Sequence, residues 1–309
     1  MTNKIEFTNQ LKNEAKQLGF GACGISKASY LKKDEVHLQK WLDNDYNGSM
    51  KYMENNFEKR VDPRKLVEGA KSIISVLLNY YPSEKQRQGA PKISKYAFGK
   101  DYHIVIKNKL NQLFQFIKSS NQQINGRVFI DSAPVLEKAW AANAGLGWIG
   151  KHSILINKEY GSFVFISELI IDLELEYDKP INDYCGECTK CIDACPTNAI
   201  VAPKIIDTRK CIASKTIEDK GEIDIGLKGK FNNWIYGCDI CQDVCPWNEK
   251  NVKPTKEEQF KAKTEILNYT KKDWQNLNEE KFNNIFKDSA ILRTGYKSIK
   301  RNLEFITNS

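Results

Sequence analysis

The sequence contains no apolar run of 18 residues, which excludes a membrane-spanning helix. Its start, Met1 to Gln10, has neither an apolar signal core nor a twin-arginine pair, so the cytoplasm is the expected address. Histidine is scarce: His37, His103 and His152 are the only three in 309 residues, too few for a multi-histidine metal site. Cysteine is scarce as well outside one stretch. Of nine, eight lie between Cys185 and Cys245, and Cys23 stands apart as a small buried hydrophobe. Exported disulfide scaffolds are small and carry a signal peptide, so this clustering points to metal. There is no low-complexity tract and no internal repeat beyond two related cysteine runs.

What is present suits a globular chain. A hydrophobic share of 41% with 28% charged residues argues against extensive disorder, and the length allows one large domain or two ordinary ones. The net charge of +8 describes a solvated surface by itself. Arg293, Lys297, Lys300 and Arg301 gather cations near the end, which favours a nucleic-acid contact there.

Apolar spacing predicts helices over 3–18, 31–44 and 101–119, with a short apolar stretch at 20–25 and a break at Asp62-Pro63. Ser72 to Tyr80 and Arg127 to Ile130 have strand composition. Pro134 suits the first turn of a helix running to Asn143, and strands at 152–157 and 162–172 flank a turn at 157–161. This alternation predicts an α/β or α+β domain over 1–175. A loop-like, cysteine-rich segment follows over 176–250, then a charged helical segment over 251–309.

The first cysteine run, Cys185-Gly-Glu-Cys188-Thr-Lys-Cys191-Ile-Asp-Ala-Cys195-Pro196, matches the bacterial ferredoxin spacing. The second, Cys238-Asp-Ile-Cys241-Gln-Asp-Val-Cys245-Pro246, lacks the first member, for which Cys211 is the replacement. Eight thiolates suit two 4Fe–4S clusters, and the fourth cysteine of each run reaches the neighbouring cluster. One set is therefore Cys185, Cys188, Cys191 and Cys245; the other is Cys195, Cys211, Cys238 and Cys241. Structural zinc also uses paired cysteines, but explains neither the four-cysteine run nor the two prolines.

Other motifs carry less. Gly145-Leu-Gly147-Trp-Ile-Gly150 matches the dinucleotide fingerprint, but a helix precedes it and a strand follows, the reverse of the required order. It reads as a backbone turn. Asp101-Tyr-His103 begins like a cobalamin-histidine motif, but Ile106 stands where glycine is needed, so His103 reads as a helix residue satisfied by ordinary hydrogen bonds. Asp131 follows a predicted strand; its bland role is a turn or cap, although strand ends in α/β domains often face the ligand crevice.

Taken together the chain resembles the epoxyqueuosine reductases. The shared features are Arg60-Val-Asp-Pro63, Ile93-Ser-Lys-Tyr-Ala97, Gly99-Lys-Asp-Tyr-His103, Asp131-Ser-Ala-Pro134 with Glu137, Gly145 to Lys151, Tyr160-Gly-Ser162, both cysteine runs and Arg293 to Asn302. The resemblance implies an α+β protein: an N-terminal α/β cobalamin-binding domain, a ferredoxin-like domain with two clusters and a short helical C-terminal segment. Many family members carry a further helical-repeat extension, which this chain does not show.

The implied reaction is reduction of epoxyqueuosine to queuosine at the tRNA wobble position, by cobalamin fed from the clusters. Asp131 would be the proton donor, kept protonated by burial. Arg60, Ser94, Leu155, Ile166, Leu169, Asp239 and Ile240 would line the corrinoid beside Asp131. Lys220, Arg293, Lys297 and Arg301 would meet tRNA phosphates. The resemblance also implies a monomer reduced by flavodoxin, ferredoxin or reduced flavin. Two alternatives share the clusters: a corrinoid reductase of the reductive dehalogenase kind, and a ferredoxin-type electron carrier. The first typically carries a twin-arginine signal, and the second does not need some 175 residues before its clusters.

Overall fold

The computed structural model describes residues 4–307. A four-stranded antiparallel sheet lies at its centre, with strands in the spatial order Ala22–Lys27, Ser72–Asn79, Val164–Ile171 and Gly126–Phe129. The two inner strands are covered on both faces, which is why their sequences are nearly continuous apolar runs rather than alternating ones. Ile74, Val76, Leu78, Phe165, Leu169 and Ile171 pack on helices Lys4–Gln17 and Tyr102–Ser120. On the opposite face Ile73, Leu77 and Ile170 meet helix Glu137–Asn143 through Trp140 and Ala141.

The helix expected over 3–18 spans Lys4–Gln17, its first expected residue lying outside the described part. Helices Lys32–Asp43 and Tyr102–Ser120 fall within a residue or so of expectation. The helix expected from Pro134 begins only at Glu137. The chain turns tightly first: Asp131 stands at φ +52°, and the Val135 N–H donates to the Ala133 carbonyl at 2.8 Å. The glycine-rich stretch forms a turn and the two-stranded hairpin Trp148–Ile149/Leu155–Ile156, not a dinucleotide loop.

The cysteine-rich segment carries two matching helical turns, Lys190–Asp193 and Ile240–Asp243, one in each cysteine run. It is fastened to the first 175 residues at several places. Gly161 lies so close to Asn248 that a Cβ there would stand 1.9 Å from its Oδ1, which accepts from the Ser162 N–H at 2.7 Å. Asp239, fully buried, accepts from the Ser94 hydroxyl and from the Lys95 N–H at 2.8 Å. The short strand Trp234–Tyr236 pairs in parallel with Lys92–Ile93. Around that pair the C-terminal helices build a second core from Ile235, Tyr236, Trp274, Phe282, Phe286 and Ile291. The whole is an α+β arrangement in which the three sequence segments interlock.

Candidate functional site

The N-terminal domain, the cysteine segment and the C-terminal segment meet around a cleft of ≈ 1680 Å³. Its wall includes Arg60, Tyr102, Asp131, Glu137, Cys211 and Arg293. Ordinary small-molecule sites occupy about 300–1,000 Å³, so this one accommodates a much larger guest.

On one wall four side chains form a continuous polar chain. Asp101 caps helix Tyr102–Ser120 by accepting from the His103 N–H at 2.9 Å, and the same Oδ1 lies 2.8 Å from His103 Nδ1. The other ring nitrogen, Nε2, is 3.4 Å from Asp131 Oδ2 and 3.2 Å from the Ser132 hydroxyl. Tyr102 donates its hydroxyl to Asp131 Oδ2 at 2.7 Å while its ring stacks on Phe165 at 4.2 Å. The Asp131 N–H donates to Glu137 Oε1 at 2.6 Å.

These contacts set the charges. Desolvation pushes the Asp131 carboxyl up, but hydrogen bonds from His103 and Tyr102 and the charges of His103 and Arg293 outweigh it, and the net shift is downward. Burial lowers the His103 imidazole, yet its hydrogen bonds to Asp101 and Asp131 prevail and raise it to about 9. Glu137 is pushed up to about 8, by burial first and then by the Asp131 charge. This corrects the expectation that burial keeps the proton on Asp131: its hydrogen bonds and neighbouring charges win instead. At neutral pH the protons of this wall sit on His103 and Glu137, and Asp131 is the ionised group between them. Beneath helix Glu137–Asn143, Glu168 is fully buried with neither carboxyl oxygen hydrogen-bonded, and burial followed by the Glu137 charge drives it well above the usual carboxylate range.

The cysteines gather into the two expected groups. A separate cavity of ≈ 220 Å³ is lined by Cys185, Cys188, Cys191 and Cys245, together with His152 and Trp247. The sulfurs of Cys238 and Cys241 feel those of Cys211 and Cys195. Among the described residues no three or more Cys, His, Asp or Glu side chains converge closely enough to share one metal ion. A mononuclear zinc site needs such convergence, with sulfurs about 2.3 Å from one ion, whereas a 4Fe–4S cluster spreads four thiolates around its core. The donor set thus fits a cluster. Trp148 Nε1 already donates to Cys185 Sγ at 3.4 Å, and the Ala199 N–H to Cys195 Sγ at 3.3 Å.

Of the residues expected along a corrinoid, Arg60, Asp131 and Ile166 line the large cleft. Arg60 is buried and donates to the carbonyls of Tyr52 and Asn55, which shapes the cleft's lip. Leu155 and Leu169 are fully enclosed in apolar clusters, Ser94 and Asp239 are joined to each other, and Ile240 packs beside Cys238; none of these five is part of the cleft wall. Of the four cations expected at a nucleic acid, Lys220 and Arg293 stand on the cleft wall and Lys297 is exposed. Lys220 donates to the carbonyls of Ile217 at 3.2 Å and Thr294 at 3.0 Å, and Arg301 is more fully committed: its guanidinium donates to the carbonyls of Lys215, Asp219 and Gly221 and to Asn302, so it is spent on the fold. Sequence reasoning passed over His103, Tyr102 and His152. The adjacent Asp101-Tyr-His103 was the one signal for the first two.

Comparison with known proteins bears on this arrangement. A family model described as "Epoxyqueuosine reductase QueG, DUF1730" matches residues 60–132, and one described as "4Fe-4S double cluster binding domain" matches residues 184–248. The epoxyqueuosine reductase of Cellulophaga algicola is 55% identical over 99% of this chain and 100% of its own length. That of Escherichia coli is 40% identical over 96% of this chain and 80% of its own. A crystal structure of epoxyqueuosine reductase with a tRNA-Tyr epoxyqueuosine-modified stem loop superposes at a TM-score of 0.88 and 32% identity, covering 98% of this chain and 81% of that one.

Proposed function

This chain belongs to the epoxyqueuosine reductase family, and from that premise we propose that it reduces epoxyqueuosine to queuosine in the tRNA anticodon. The observation that carries the proposal is the continuity of one cleft from Cys211 to Asp131 and on to Lys220 and Arg293. A cluster ligand, an acid–base wall and phosphate-binding cations all face a single space. Cys185, Cys188, Cys191 and Cys245 would hold one 4Fe–4S cluster and Cys195, Cys211, Cys238 and Cys241 the other, supplying electrons singly, and a cobalamin held in the cleft would supply the low-valent cobalt chemistry. Arg60, Ile166 and Asp131 are the residues of this chain that hold the corrinoid side of the cleft.

The chain's own part is the proton. Opening an epoxide and then losing its oxygen as water requires that oxygen to be protonated, so an acid must stand within hydrogen-bond reach. Asp131 is the group presented to the cleft, and His103 is its proton reservoir, clamped between Asp101 and Asp131. Tyr102 holds the Asp131 carboxylate in place. Lys220, Arg293 and Lys297 position the stem loop through its phosphates. The protein works as a cytoplasmic monomer and draws its electrons from flavodoxin, ferredoxin or reduced flavin.

Deleting the gene tests the function. Nucleoside mass analysis of the strain's tRNA should show epoxyqueuosine in place of queuosine, restored by the intact gene and not by Asp131→Asn. Unchanged queuosine in the deletion strain would refute the proposal, and a purified protein with iron–sulfur absorption that never binds a corrinoid would favour the electron carrier.

A further inference from the structure

The glycine-rich turn that binds no dinucleotide shapes the wall of a cluster site. Gly147 is required by contact: a Cβ there would stand 2.3 Å from the Ile156 carbonyl oxygen. The hairpin closes because that position is bare, and it carries Trp148 on its first strand and His152 in its connecting turn. Gly150 leaves room for the imidazole, since a Cβ there would lie 3.0 Å from His152 Cε1. His152 is 1% exposed and lines the same cavity as Cys185, Cys188, Cys191 and Cys245.

The tautomer of His152 follows from one hydrogen bond. The Ile154 N–H donates to His152 Nδ1 at 3.2 Å, so Nδ1 carries no proton and the ring's proton is on Nε2. Nε2 is buried and has no hydrogen-bond partner among the described residues. A buried donor left unmade costs about 1–3 kcal/mol, so its presence calls for an acceptor. Besides the Tyr184 hydroxyl, which accepts from Lys158 Nζ at 3.0 Å, the side-chain acceptors lining this cavity are the four cysteine sulfurs.

The geometry points to His152 as a hydrogen-bond donor, through Nε2–H, to the 4Fe–4S cluster on Cys185, Cys188, Cys191 and Cys245, where it raises that cluster's reduction potential. This inference rests on the assignment of those four cysteines to one cluster. Reduction adds an electron from the external donor and with it negative charge on the sulfurs, so a fixed N–H favours the reduced form. Trp148 already donates to Cys185 Sγ. His152 adds a second donor from the same hairpin.

EPR-monitored redox titration of the reconstituted protein reads the effect directly. His152→Leu should keep eight irons and shift one midpoint negative by about 59 mV, a tenfold change for a one-electron couple, while the other midpoint stays put. His152→Gln, whose amide can still donate, should recover most of the shift. In the unaltered protein, ENDOR of the reduced cluster should show an exchangeable proton coupling that responds to ¹⁵N-histidine labelling. Equal midpoints in all three proteins, an equal shift in both variants, or absence of the histidine-linked proton would each overturn the inference. If His152→Leu loses iron, the ENDOR result on the unaltered protein decides. An unaltered protein lacking eight irons would instead sink the cluster assignment itself.

Discussion

Asp131 holds a left-handed backbone at φ +52° with its side chain 45% exposed to the cleft, so the chain presents the carboxylate rather than burying it. Asn adopts that conformation as readily as Asp, which makes Asp131→Asn a change of chemistry more than of shape. It should keep both clusters and lose about 10²–10⁴-fold in single-turnover rate with prereduced enzyme, the usual contribution of a positioned acid. His103, at about 9, is protonated below that pH and loses its charge as pH rises through it. Turnover should therefore hold from neutral pH to about 9 and fall above. His103→Gln should abolish that limb and lower the neutral rate by about 10²-fold; an unchanged pH profile would remove His103 from the proton path. By the same sign, His103 stabilises the fold fully below its unfolded value of about 6.5, and that contribution is lost as pH rises through about 9. Asp131 by itself read as a turn or cap, and only the resemblance singled it out as the acid. His103 was not legible, because its role depends on a carboxylate 28 positions away that only the fold delivers.

At the scale of elements, helix Tyr296–Thr307 divides the basic tail by function. The charge was legible in the sequence; its use was not, because free and committed cations look alike until the carbonyls around them are known. Arg301 reaches into a ring of carbonyls, and Arg301→Ala should destabilise the protein by about 1–2 kcal/mol in urea titration, since partly buried acceptors lose a charged donor. Arg293→Glu with Lys297→Glu should leave urea stability nearly unchanged, weaken tRNA stem-loop binding and flatten its salt dependence by about 0.7–0.9 per lost phosphate contact. An unaltered salt slope would return that face to plain solvated surface. Strand Ser72–Asn79 was read directly, since burial on both faces leaves an unbroken apolar run. The start of helix Glu137–Asn143 was missed by three residues because the tight turn at Asp131–Val135 takes the place of its first turn.

At the scale of the whole molecule, the cleft exists because the first two segments are locked together through Gly161 against Asn248, Ser94 against Asp239, and the strand pair Lys92–Ile93 with Trp234–Tyr236, and the third is tied in by the Asn302 amide, which donates to the carbonyls of Thr216 and Ile235. The sequence named the segments but not these seams, which join residues well over fifty positions apart. Cys211 stands immediately ahead of helix Ile212–Ile217 and on the cleft wall. Cys211→Ala should drop the iron content from eight towards four and spare the cluster on Cys185, Cys188, Cys191 and Cys245; full iron with an unchanged spectrum would contradict the pairing. The most direct measurement is a single turnover by the reconstituted, cobalamin-loaded and prereduced protein on a stem loop carrying epoxyqueuosine, with the nucleoside read by mass. The expected product is queuosine, one oxygen lighter, formed by the unaltered protein and almost not at all by Asp131→Asn. Epoxyqueuosine persisting with a protein that holds eight irons and a bound corrinoid would contradict the proposed function.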